Sequence, residues 1–206
     1  MASTTLRHHD IKVLLPKDKV LAWHQVSTLR GVFSIVLEWT GIVGMAWLCE
    51  TFFSWPLYLF SVIFIGARYL ALGLIMHESV HLLISKNRNL NDTLAEVFCA
   101  WPLFISMRSY RIKHLAHHRF LNTENDPDYV AKTDENWKFP MTPKKFAKIM
   151  LIQFTGWGVL ETLRVMSDQQ VKKDKDKKPW GYTLSRILYY LIITSGFVYF
   201  GHGMWL

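Results

Sequence analysis

Polar and apolar residues are sorted along this chain into long blocks rather than short alternations. Residues 31–53, GVFSIVLEWTGIVGMAWLCETFF, form one apolar run, and residues 55–76, WPLYLFSVIFIGARYLALGLIM, form a second after almost no loop. About 20 apolar residues cross a bilayer as a helix, so the two runs predict a transmembrane hairpin. Glu38 and Arg68 interrupt the runs and should face another helix, a polar cavity or the interface rather than lipid. Pro56 suits the first turn of the second helix. A third run, residues 183–206, TLSRILYYLIITSGFVYFGHGMWL, predicts a third span.

The stretches between the runs are mixed. Residues 91–107, NDTLAEVFCAWPLFISM, open on an N-cap-like Asn91 or Asp92 and are broken by Pro102. They are short for a span and read as a re-entrant or surface-lying segment. Residues 122–143 form a polar loop with turn residues throughout. Residues 144–166, broken by Lys148, Gln153, Glu161 and Arg164, fit an interfacial amphipathic helix better than a span. The charge run KKDKDKK, residues 172–178, reads as a solvated linker near anionic lipid. The first thirty residues show no cleavable signal pattern. The chain reads as a single domain over residues 1–206.

Composition agrees with a membrane protein. Half of the 206 residues are hydrophobic and 19% are charged, below the roughly 25% of soluble domains. Trp39, Trp47, Trp55, Tyr58, Trp180 and Tyr182 lie near the ends of apolar runs, where a membrane interface favours them. The net charge is +8, with Lys and Arg crowded into residues 1–30 and 82–178 and absent from the hairpin turn. That distribution places the N-terminal segment 1–30, and everything from His77 onward, on the cytoplasmic side. It also removes the case for nucleic-acid binding, because the basic residues follow topology rather than a motif. Cys49 and Cys99 sit in apolar settings and read as buried small side chains, with no disulfide framework. The fold class expected is an all-α integral membrane protein, multi-pass. It comprises a transmembrane helical hairpin plus a third span, with amphipathic helices at the cytoplasmic edge carrying histidine clusters.

The chemistry starts at HESVH, residues 77–81. His77 and His81 are four apart, on one helical face, where two imidazoles can grip one metal. Glu78 points elsewhere and is a candidate base, ligand or partner of a ligand. Two readings fit these five residues: a zinc hydrolase in which Glu78 activates water, or a larger metal cluster. HLAHH places His114, His117 and His118 at i, i+3 and i+4, again on one face. Imidazoles crowded near Arg111, Lys113 and Arg119 are costly to bury unless a metal or carboxylates compensate. Five histidines exceed the three ligands of a catalytic zinc and fit two metals better than one.

The stretches GARYLALGLIMHESVH (66–81) and HLAHHRFLNTENDPDY (114–129) resemble the membrane fatty acid desaturase family. They match its first histidine box at the end of the second span and its HxxHH box followed by an Asp-Pro-Asp loop. The resemblance implies a membrane-bound non-haem di-iron oxidoreductase. Such an enzyme uses O2 and electrons from a ferredoxin or a cytochrome b5 to place a double bond in a fatty acyl lipid. It implies two iron ions, with His77, His81, His114, His117 and His118 as ligands. Taking hydrogen from an unactivated methylene needs a redox metal, which zinc is not. Glu78, Asp126 and Asp128 are candidates for holding ring N–H groups of those ligands. A hydroxylase or ketolase on the same scaffold is the alternative. An intramembrane zinc protease fits HExxH but leaves HLAHH without a job.

The family's third histidine box has no counterpart here. After His118 the next histidine is His202, expected near the far membrane face. The chain is accordingly expected to be an N-terminal fragment, inactive alone, with an incomplete di-iron centre.

Overall fold

The computed structural model describes residues 16–23, 25–131, 139–157 and 180–199. Among these the regular structure is helical, with no strand. The chain divides into two compact units, residues 1–115 and 116–206.

In the first unit, the short helix α1 (Lys17–Trp23) precedes two long ones, α2 (Thr28–Thr51) and α3 (Trp55–Val80). Ser27 caps α2 by accepting the Arg30 N–H, and Pro56 sits in the first turn of α3 as its lack of an N–H allows. The turn between them is short and aromatic, with the Phe53 and Trp55 ring centroids 5.6 Å apart and those of Trp55 and Tyr58 6.0 Å apart. Both helices are long and apolar enough to cross a membrane. Only 17% of each apolar window is buried within the chain, unlike the core helix of a soluble protein. Exposed Phe33, Val43, Trp47, Ile63, Leu70 and Leu74 cover their outer faces.

The hairpin packs through a narrow seam. Ile35, Ile42 and Cys49, each seven residues apart, are the buried positions of α2. Ile35 and Ile42 pack with Leu72, Met76 and Val80 of α3 in a core completed by Ile84, Ala95, Cys99, Ala100 and Met107. Glu38 and Arg68, the two charges expected to avoid lipid, pair with each other at 3.2 Å. Gly31 lets the chain after α3 lie directly on α2, for a Cβ there would stand 2.6 Å from the Ile84 carbonyl oxygen.

After α3 the backbone reverses at Leu82, whose φ is +59. Helix α4 (Arg88–Ala95) follows, then a π-helical turn (Glu96–Ala100) and a 3-10 turn (Trp101–Leu103). The cap of α4 is Asn87, which accepts the Leu90 N–H at 3.1 Å. The expected cap, Asn91 or Asp92, is therefore corrected. Asn91 is fully buried and has tertiary work instead. Pro102 has no N–H for the Phe98 carbonyl four residues back. The indole N–H of Trp39 donates to that carbonyl, 2.9 Å away. Trp39 thus pins α2 to the irregular turn rather than standing at a membrane interface. Helix α5 (Met107–Phe120) begins after Phe104 (φ +59) and carries the second histidine cluster.

The second unit holds the end of α5, then α6 (Pro127–Ala131), α7 (Pro143–Phe154) and α8 (Trp180–Tyr199). Thr142 caps α7 by accepting the Lys145 N–H at 3.2 Å. The helix stops at Phe154, ahead of Gly156 with φ +77. Its 12 residues are too few to span, and the rest of the expected amphipathic segment, residues 158–166, lies outside the described residues. Helix α8 begins where the third span was expected, but among the described residues only α2 and α3 are apolar enough to cross. The charge run 172–178 and His202 also lie outside the described residues.

Candidate metal centre

Three of the five expected histidine ligands converge. His77 and His81 stand one turn apart at the end of α3, and His114 reaches them from α5. One nitrogen from each lies within 4.8 Å of the other two. Nε2 of His81 is 3.1 Å from Nε2 of His114, and the rings of His77 and His114 meet edge to face with centroids 4.2 Å apart. His114 is buried, His77 half-buried and His81 exposed. Two imidazole nitrogens at that distance can share a proton or, with both lone pairs turned inward, flank a cation, and imidazole is a suitable ligand for iron as for zinc. The donor set therefore fits a transition metal.

Buried and part-buried polar contacts set the two helices in register. The Arg111 guanidinium, one turn before His114, grips the Asp92 carboxylate at 2.7 and 2.5 Å. It also donates to the Ser79 carbonyl, within the first histidine motif, at 3.1 Å. Asn91 donates to the same carbonyl at 2.9 Å and accepts the N–H groups of Ile84 and Ser85 at 3.3 Å. The Glu96 carboxylate accepts the Met107 N–H at the start of α5 (3.2 Å) and the Trp101 indole N–H (2.8 Å). The hydrogen bond from Arg111 holds the Asp92 carboxyl below the usual carboxylate range and raises the guanidinium in turn. Arg111, expected only as part of a basic surround, is thus a neutralised brace.

Sequence reasoning missed Asn91, Asp92, Glu96 and Tyr110 as parts of this arrangement. Tyr110 and Arg111 carried a readable signal, standing four and three residues before His114 on the same helical face. Asn91 and Asp92 carried none beyond their general liking for helix starts.

Glu78 is not brought into the cluster. It is exposed, and it lines a small cavity with Ser27, Arg30, Ser34 and Ile75 that none of the three histidines lines. In the second unit, Nδ1 of His117 lies 2.8 Å from Oδ1 of Asp126 and 3.8 Å from Oδ2 of Asp128. Asp126 is 1% exposed, and it accepts the Asn122 and Asp128 N–H groups, both at 2.9 Å. Burial alone would raise its carboxyl. The bonds from His117 and from the N–H groups of Asn122, Asp128 and Tyr129 outweigh burial and hold it well below the usual range. The carboxylate thereby orients the His117 ring, as expected for the Asp-Pro-Asp loop. The His118 ring lies beside that of His117, centroids 5.9 Å apart.

The sequence that builds this arrangement is matched among known proteins. Residues 53–206 match the fatty acid desaturase family. This chain belongs to that family. It is 41% identical over 134 residues, 63% of its length, to the dihydrorhizobitoxine desaturase of Bradyrhizobium elkanii. It is 27% identical over 147 residues, 71% of its length, to the sn-1 oleoyl-lipid 12-desaturase of Anabaena variabilis. A third relative, the sn-1 acyl-lipid omega-3 desaturase (ferredoxin) of Nostoc sp. (strain 36), is 27% identical over 148 residues, again 71% of this chain. These matches cover 37%, 38% and 37% of the relatives' own lengths, so the chain spans well under half of each. No solved structure matches.

Proposed function

We propose that this chain supplies part of the metal-binding core of a membrane-bound, O2-dependent desaturase. The observation that carries the reading is the convergence of His77, His81 and His114 within 4.8 Å, in a chain of the fatty acid desaturase family. His117, oriented by Asp126, and His118 complete the proposed ligand set for two iron ions. When bound, iron supplies the one-electron oxidising chemistry that dehydrogenation of an unactivated methylene requires.

The chain's own residues do the rest. Helices α2 and α3 anchor the site in the bilayer through apolar faces left uncovered by the chain itself. Asp126 keeps the proton of His117 on Nδ1, so that Nε2 is the nitrogen offered to a metal. The Asp92–Arg111 brace holds α5 against α4, and the Arg111 bond to the Ser79 carbonyl holds it against the end of α3. Glu78 lies off this cluster and serves the reading as an accessory carboxylate rather than a ligand.

The substrate proposed is a fatty acyl lipid, as two relatives are named for acyl or oleoyl lipids. A second reading has its own support. The 41% identical relative is named for dihydrorhizobitoxine, so a substrate of that kind competes with a lipid. One relative's name includes ferredoxin, and a ferredoxin is the proposed electron donor, with a cytochrome b5 the other candidate. The proposed topology keeps the histidines on the cytoplasmic side.

The test is metal analysis of the chain purified in nanodiscs, followed by mass spectrometry of lipids from cells expressing the native coding region. Iron bound by the wild type and lost in His81→Ala, with products two hydrogens lighter, supports the proposal. One zinc and no iron would sink it, and a product gaining one oxygen would move the reaction to hydroxylation.

A further inference from the structure

Tyr110 touches two of the three converging imidazoles. Its hydroxyl lies 3.2 Å from Nδ1 of His77. Its ring lies nearly parallel to that of His114, with 5° between planes and 5.6 Å between centroids. The contact with His77 bridges 33 residues of chain. Among the described residues it is the one hydrogen bond made by the His77 ring.

An imidazole binds a metal through one nitrogen and carries its proton on the other. The group that accepts that proton decides which nitrogen is which. His117 has Asp126 for this purpose. His77 has no carboxylate at either nitrogen, and the phenol oxygen is the acceptor on offer. We propose that Tyr110 is a positioning residue of the metal centre, accepting the Nδ1–H of His77 so that Nε2 faces the metal, while its ring fixes the rotation of His114. The inference rests on the metal reading above and deepens it.

Simple packing would ask only for the ring, and phenylalanine would serve as well. A direct ligand would ask for the phenolate on the metal itself. The three roles separate experimentally. Tyr110→Phe keeps the stack on His114 and removes the acceptor. In the full chain in nanodiscs, with Co2+ as probe, the variant should bind about 10 to 100-fold more weakly than wild type. Its cobalt visible spectrum should shift, while the metal-free unfolding temperature stays the same. Unchanged affinity and spectrum would reduce Tyr110 to packing and overturn the proposal. An intense phenolate-to-iron absorption in the ferric wild type, absent from Tyr110→Phe, would make it a ligand and overturn it equally.

A second measurement needs no substitution at Tyr110. In the Zn2+-loaded wild type labelled with 15N-histidine, the His77 resonance, assigned with His77→Gln, should show the proton on Nδ1. A bare Nδ1 refutes the proposal. Failure of the underlying metal reading looks different: wild type and His81→Ala would then bind Co2+ equally weakly.

Discussion

The guanidinium of Arg68 and the carboxylate of Glu38 pair at 3.2 Å near the middle of two antiparallel apolar helices. Neither has water to fall back on if the hairpin spans a bilayer. Glu38 is mostly buried, and Arg68 also lies over the Phe64 ring at 5.2 Å. Removing one partner strands the other. Glu38→Ala or Arg68→Ala should each cost about 3 kcal/mol in detergent or bilayer unfolding. The double substitution Glu38→Leu with Arg68→Met should come close to wild type. Additive losses in the double variant would show that the pair does not couple.

The histidine cluster makes unequal demands on its neighbours. His81→Ala and His114→Ala should each weaken Co2+ binding by about 100-fold or more, since each removes a ligand atom. Glu78→Gln should leave affinity within about twofold, because its carboxylate lies off the cluster. Isothermal titration of the three variants checks both statements, and a large loss in Glu78→Gln would place that carboxylate at the metal.

The brace between Asp92 and Arg111 has a pH signature. Arg111 holds the Asp92 carboxyl below its ordinary value. The bond therefore contributes in full above the ordinary aspartate range and is lost as pH falls through the depressed value. Below about pH 4 the wild type should lose stability relative to Asp92→Asn. At neutral pH Asp92→Asn should cost about 1 kcal/mol, the partly exposed site reducing the effect. Thermal unfolding from pH 3 to pH 7 reads both limits.

Gly31→Ala should destabilise the first unit by about 1–3 kcal/mol, because the new methyl meets backbone at Ile84 rather than a yielding side chain. Gly44→Ala, where a Cβ meets nothing within 4 Å, should be neutral or slightly stabilising. Equal unfolding midpoints for the two variants would contradict the close approach.

Both thiols should be silent in the folded chain. Cys49 and Cys99 are fully buried, and burial pushes the Cys99 thiol up to about 12. Maleimide at pH 7.5 should label neither within an hour in nanodiscs and both after denaturation. Rapid labelling of Cys99 would mean that the turn from Glu96 to Ala100 opens readily.

The legible parts of this structure are those in which one segment carries its own instruction. A lone charge in an apolar run is kept from lipid, so Glu38 could be placed against protein or the interface and Arg68 against a helix or a polar cavity before any contact was known, though not against each other. Spacing of four residues put His77 and His81 on one face, and Pro56 marked the start of α3. The illegible parts depend on what lies across the fold. Asn87 and Asn91 are equally good caps in isolation. Only the turn at Leu82 to Ser85, which needs acceptors for the N–H groups of Ile84 and Ser85, decides that Asn91 goes inside. Trp39 looked like an interfacial aromatic because nothing local announces that Pro102 leaves the Phe98 carbonyl to it. The role of Asp92 was invisible for the same reason.

The 33 residues between His81 and His114 give metal capture a second meaning. A hairpin that has entered the bilayer presents two imidazoles and no more. The third arrives only after α4 and the turn that follows have folded back and the Asp92–Arg111 brace has closed. Under the proposed metal reading, a held ion would therefore report that assembly is complete, and a chain stalled before that step would stay unloaded.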